Sequence, residues 1–179
     1  TLRADDLGVL TLGLELARDR PQQIPGATCA DGATSAAVLV RSKRVAVRPR
    51  LAAVQWGMAC RRFDQAWQAV QPLPPRRAEG PWPPQVYALA IAASDGEGAR
   101  RWASAFTADA TTDPRWVSAA VHGDESAGRP LQAMHRLAGL QRARPGLTGL
   151  DSAARDLYHR HQRHPDAAKM RSLLAEFTR

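Results

Sequence analysis

Arginine is the side chain in this sequence with the most chemistry to offer. Of 25 basic residues only Lys43 and Lys169 are lysines, so nearly every cation is a guanidinium. A guanidinium is planar and weakly hydrated, and its fork donates two parallel hydrogen bonds to a phosphate or carboxylate. Spacing groups several of them into stripes. Arg155, His159 and Arg163 recur every four residues, and Arg129 and Arg136 stand two helical turns apart around Gln132. Arg61 and Arg62 adjoin an apolar stripe, which Arg41, Lys43, Arg44, Arg48 and Arg50 precede. Arg41, Lys43, Arg44, Arg61, Arg62, Arg129, Arg136, Arg155 and Arg163 are therefore the candidate contacts to a nucleic-acid backbone, a mode that needs no base reading. The plainer account is a set of solvated helix faces in a GC-rich genome. Codon bias explains the ratio of Arg to Lys, but not the net charge of +8 or its clustering.

The clustering is marked. Residues 41–80 and 129–179 are strongly basic, whereas 81–128 carries six acidic side chains against three basic ones. Such a balance points to an anionic partner: nucleic acid, an anionic membrane surface or an acidic protein. The acidic residues Asp109, Asp113, Asp124 and Glu125 fall near expected helix ends, where capping accounts for them. No Gly-x-Ser-x-Gly, phosphate-binding Gly-Lys-Ser/Thr or His-Glu-x-x-His occurs, so the sequence predicts no enzyme and no cofactor. The histidine run His159, His161, His164 suggests a metal at first sight. On a helix, however, His159 and His161 point roughly 200° apart, and no Cys, Asp or Glu stands at a fitting distance from His161 and His164, so no metal site is expected.

Two cysteines, Cys29 and Cys60, are too few for a disulfide scaffold. Cys60 lies in an apolar helical stripe and reads as a buried structural thiol, with a Cys29–Cys60 bridge as the alternative for an exported protein. No apolar run approaches the roughly 20 residues that span a bilayer. Partners on a membrane are not expected, and the predicted location is the cytoplasm.

The elements that must carry these side chains read as helical throughout. Ala and Leu dominate, and β-branched residues are sparse outside 38–54. The spacing predicts helices at 4–19, 50–71, 84–93, 97–108, 113–122, 124–144, 148–163 and 166–178. Helix 50–71 is the clearest, with Trp56, Cys60, Phe63, Trp67 and Val70 on one face. Residues 20–35 and the Pro-rich 72–84 read as loops. Residues 36–48 fit either a short β-hairpin, within 37–48, or a helix ended by Pro49. The predicted fold is all-α, a single-domain bundle of about seven or eight helices over 1–179. Pairing of 50–71 with 84–108 resembles helix-pair repeats, although no fixed period stands out. Of the five tryptophans, Trp56, Trp67, Trp102 and Trp116 sit at apolar helix positions. Only Trp82, in the Pro-rich loop beside Arg76 and Arg77, is placed for stacking.

Two family resemblances follow. His164-Pro165-Asp166 matches the three-residue signature of J-domain co-chaperones, though the segment before it is too short for that family; a helix stop followed by an Asp cap explains it as well. In size, helical content, arginine-rich faces and lack of a catalytic motif, the chain resembles the small helical subunits of multi-subunit CRISPR effector complexes. That resemblance implies a non-catalytic subunit of a ribonucleoprotein that contacts the backbone of RNA or a displaced DNA strand. Its other partners would be protein subunits, further copies of the chain among them. The alternative is a helical protein–protein adaptor or chaperone of a larger bacterial machine. An enzyme of unrecognised type comes third.

Overall fold

The structure, a computed structural model, describes residues 25–42 and 47–178. The helix expected at 4–19 and the candidates Lys43 and Arg44 lie outside the described residues. Within them the chain forms nine α-helices and no strand. These are α1 (Pro25–Arg41), α2 (Val47–Ala59), α3 (Phe63–Val70), α4 (Trp82–Ala92) and α5 (Gly96–Ser104), then α6 (Pro114–Ser126), α7 (Pro130–Ala143), α8 (Leu150–Arg160) and α9 (Ala167–Leu174). Short 3₁₀ turns follow at Pro75–Arg77 and Ala175–Thr178.

Several boundaries differ from expectation, among them the helix predicted at 124–144, which forms only from Pro130 because α6 runs on to Ser126; proline and glycine explain most of the differences. The loop predicted at 20–35 is helical from Pro25 onward. Proline is pre-set for the first turn, where its missing N–H costs nothing. Gly32, which reads as a loop residue, lets α1 approach α2: a Cβ there would overlap the indole of Trp56. Pro49 does not end a helix but sits in the first turn of α2. No hairpin forms among the described residues of 36–48, because 36–41 belong to α1 and 47–48 to α2. Pro83, Pro84, Pro114 and Pro130 likewise stand in the first turns of α4, α6 and α7. Prolines here start helices more often than they break them.

The helix predicted as one piece at 50–71 is two, α2 and α3, folded back on each other. The apolar stripe is satisfied by a hairpin as well as by a straight rod. At its closest approach, a Cβ on Gly57 would overlap the Cβ of Ala66, so only glycine fits. Arg61 makes the turn with φ of 54°.

This hairpin is the first of three built alike. The turns α2–α3, α4–α5 and α6–α7 pass through Arg61, Ser94 and Gly128, all with positive φ (54°, 60° and 76°) and spaced 33 and then 34 residues apart. Each turn closes with the same backbone bond, from Arg62 N to Gly57 O (2.9 Å), Asp95 N to Ala90 O (2.9 Å) and Arg129 N to Asp124 O (2.8 Å). That is the pattern of a helix C-terminus ended by a left-handed residue. Buried positions keep the same register: Ala53, Val86 and Ala120; Trp56, Leu89 and Gly123; Ala66, Ala99 and Ala133. Ala154, Leu157 and Tyr158 of α8 continue it by 34 residues, and all three are buried. The described residues thus stack successive helix pairs in a common register, as helical repeats do, with Arg61 also reaching from the first pair to the third.

In the stack α4 packs on α2 and, most extensively, on α6; α8 and α9 pack against α7. A larger apolar cluster around Trp56, Trp67, Trp102 and Trp116 fills the first half, and a second around Met134, Leu137, Leu157 and Met170 fills the last. Trp82, the candidate for stacking, is half-buried at the start of α4 and packs on the edge of the first cluster. Helix α1 caps the first pair. Cys29 and Cys60 form a disulfide that ties it there, with Cα atoms 5.7 Å apart. Cys60 is therefore not the free buried thiol its apolar stripe suggests, since it lies just past the end of α2.

Candidate functional site

The arginines divide into those that serve the fold and those that remain free. The most deeply placed, Arg50, is 1% exposed. Its guanidinium donates to the carbonyls of Ala69, Leu39 and Ser42, at 3.2 Å for the latter two. These carbonyls lie at the C-terminal ends of α3 and α1, where helix dipoles present negative charge. Burial lowers the pKa of Arg50, and the helix ends supply the counter-charge that water would otherwise provide.

The stripes read from the sequence do not survive as stripes. Arg129 precedes α7 and Arg136 lies within it, and both turn onto the carboxylate of Asp124, whose side chain is 2% exposed. Arg129 Nε lies 3.0 Å from Asp124 Oδ1 and Arg136 Nε 2.6 Å from Oδ2. Arg129 also donates to Ile91 O (2.6 Å) and Ser94 Oγ (3.1 Å), fastening the third hairpin to the second. Arg61 reaches Ser126 O at 2.8 Å, linking the first turn to the third. Arg155 pairs with Asp151 on the exposed face of α8 at 3.2 Å. Helix α8 ends at Arg160, so Arg163 lies in the following turn and not on the face of Arg155 and His159. The side chains of Arg41, Arg62 and Arg163 are exposed and make no ion pair or hydrogen bond among the described residues.

The acidic residues at 124 and 125 are anchors rather than caps. Glu125 accepts from Arg160 (2.7 and 3.1 Å) and meets His161 Nε2 at 2.9 Å. Burial alone would push the Glu125 carboxyl up; the hydrogen bonds from Arg160 and His161 outweigh it and hold it below its ordinary value. The same bond raises the pKa of Arg160. Asp113 does cap, accepting from Arg115 N at 2.9 Å. Asp109 instead closes a loop through Thr111 and Thr112, and these bonds lower its pKa. Asp95 caps α5 by accepting from Gly98 N (2.8 Å) and also receives Trp67 Nε1 (2.7 Å); these two bonds, in that order, lower its pKa. His164 and Asp166 stand in the turn before α9, where Asp166 pairs with Lys169 and makes no side-chain cap. Among the described residues no three metal-capable side chains converge.

One concavity brings charged and apolar groups together. The second helices of adjacent hairpins, α5 and α7, leave between them a cleft of about 420 Å³. Apolar Ile91, Ala99 and Ala103 and polar Ser104, Thr107 and Asp109 line it, together with Tyr87, which is 6% exposed. Arg100 of α5 and Arg136 of α7 line it as well. Arg100 makes no hydrogen bond or ion pair among the described residues, and Arg136 is bound only through Nε, so both terminal nitrogens remain unbonded. Burial pushes the Tyr87 phenol pKa up, a shift that nearby Arg136 reduces, so its hydroxyl keeps its proton. None of this is legible as a motif, because Tyr87, Arg100 and Arg136 come from three different helices.

The chain matches no protein-family model, no curated protein and no solved structure. Among the described residues no helix is long and apolar enough to cross a membrane.

Proposed function

We propose that this chain is a non-catalytic helix-pair scaffold that docks other proteins, the adaptor role rather than the nucleic-acid one. The observation that carries it is the stack of three hairpins in a 33- and 34-residue register. Such stacks present extended surfaces on which each pair adds contacts of the same kind. The second support is where the arginines go. Arg61, Arg129 and Arg136 bind a helix end and a buried carboxylate of the chain itself, which engages three of the nine candidate backbone contacts within the fold. The test is purification at low salt with and without nuclease. A 260/280 nm absorbance ratio of protein alone, with partner proteins retained after nuclease, supports the scaffold; copurifying nucleic acid that nuclease releases together with the partners refutes it.

The disulfide also supports a reading of location. A Cys29–Cys60 bridge persists in an oxidising compartment and is rare in a reducing cytoplasm. We therefore infer a location outside the cytoplasm, and thiol labelling of protein taken directly from cells tests it. This also counts against a CRISPR-type subunit, which works beside cytoplasmic nucleic acid.

The backbone-binding reading keeps one specific support: Arg41, Arg62 and Arg163 are exposed and unpaired among the described residues, in a chain of net charge +8. If it holds, affinity for a random oligonucleotide falls with salt at a log–log slope near −2 to −3, about 0.7–0.9 per phosphate contact. A flat salt dependence excludes it.

A further inference from the structure

The cleft between α5 and α7 brings unsatisfied cationic donors beside apolar side chains. Its charge balance is specific. Three guanidiniums, those of Arg100, Arg129 and Arg136, stand against two carboxylates, those of Asp109 and Asp124. Asp124 is saturated by its two arginines, and Asp109 is turned onto Thr111 and Thr112. One positive charge is left over. It resides in the free fork of Arg100 and the unbonded terminal nitrogens of Arg136, with the protonated Tyr87 lining the same cleft.

That surplus matches a carboxylate, with one negative charge and two oxygens for a fork to hold. A phosphate monoester, with close to two charges, would overfill it. The side chains of Ile91, Ala99 and Ala103 offer no polar partner and accept an apolar side chain. The volume, about 420 Å³, lies within the range of ordinary ligand sites. Nothing in the cleft extends as a track of cations along which a nucleic-acid strand would run.

We propose that the α5–α7 cleft docks a peptide segment of a partner protein, with an acidic side chain held by Arg100 and Arg136 and an adjacent apolar side chain against Ile91, Ala99 and Ala103. This rests on the scaffold reading and names the partner chemistry at one place on it. Gly96 provides a way to close the cleft without disturbing the fold. It lines the mouth, and a Cβ there meets nothing within 4 Å.

The experiment uses the full chain and a library of acetylated hexapeptides with Leu, Phe, Glu, Gln or Lys at each position. Peptides retained by immobilised protein are read by mass spectrometry, and the best binder is then titrated by fluorescence anisotropy. The expected result is enrichment of Glu over Gln and Lys beside Leu or Phe. Arg100→Gln weakens the best binder about tenfold, and Gly96→Phe abolishes binding with unchanged circular dichroism and melting temperature. Equal retention of Gln and Glu peptides, no retained peptide at all, or undiminished binding by Gly96→Phe overturns the proposal. The failures are distinguishable. Binding that survives Gly96→Phe removes the cleft but leaves a peptide-binding scaffold. An oligothymidine that binds with steep salt dependence while no peptide is retained removes the scaffold reading as well.

Discussion

The first and third hairpins have the same backbone and opposite chemistry at the same place. Where α2 meets α3, Gly57 lies against Ala66, and contact between small groups closes the pair. In the third hairpin the equivalent of Gly57 is Asp124, a carboxylate buried against α7 and held by Arg129 and Arg136. The positions equivalent to Arg136 are Ala69 and Trp102, both buried and apolar. A helix pair can therefore be closed by close packing or by a buried ion triad. The triad adds what packing lacks: Arg129 continues to Ile91 and Ser94, so it also holds the neighbouring hairpin. The first pair obtains its outside link differently, through the disulfide to α1.

Exchanging the two chemistries tests this most severely. Gly57→Asp places a carboxylate where Ala66 already sits and where no second arginine waits, and should cost about 4 kcal/mol or more in urea denaturation. Cys29→Ser opens a cross-link between positions 31 residues apart and should lower stability by about 3.5–4 kcal/mol on the loop-entropy account. The loss should fall on the first pair, read as faster amide exchange in α1 and α2 than in α7. Asp124→Ala leaves Arg129 and Arg136 facing each other and should cost about 3 kcal/mol, less than a fully buried pair because both arginines are partly exposed. If Asp124→Ala is neutral, the triad is not what closes the third pair.

Smaller effects sharpen the equivalence of the turns. Gly128→Ala puts a Cβ at φ of 76° and should cost about 1–2 kcal/mol. Ser94→Gly relieves the same strain and gains a few tenths, less what the bond from Arg129 contributes. Helix α8 is held through Arg160 by Glu125, whose folded pKa is depressed. Its contribution is present above the unfolded value of about 4.3 and is lost as pH falls through the folded value. Wild-type stability should therefore drop in that acid window. Glu125→Gln should be less stable by about 1 kcal/mol at pH 7 and flatter there, and an unchanged slope would show that Glu125 does not govern the docking of α8.

Helix identity was largely legible in the sequence, because it rests on local signals. Asp113-Pro114 announces α6, and the cap forms as read. Apolar residues at helical spacing, Met134, Leu137 and Leu140 in α7 and Leu150, Ala154 and Leu157 in α8, are buried. The repeat was not legible, since equivalent positions share a size class or a backbone angle but not an identity. Gly57, Ala90 and Asp124 have nothing in common as letters, nor do Arg61, Ser94 and Gly128. The partners of the arginines were not legible for a related reason. Spacing reports which face of a helix a side chain occupies, but not whether an unpaired carboxylate or a helix end waits opposite. Arg136 and Asp124 are 12 residues apart and on different helices, and only the fold brings them within 2.6 Å.

Several of the internal arginine links end on main-chain oxygens: those of Leu39, Ser42 and Ala69 for Arg50, Ser126 for Arg61, Gln71 for Arg101, Gly80 for Arg115 and Ile91 for Arg129. A carbonyl is supplied by any residue at that position. Each such link thus depends on one inherited side chain instead of a matched pair. The partner position is free to drift without compensation, so long as its helix still ends there. A scaffold fastened this way can hold its shape while its sequence diverges, provided the arginines stay.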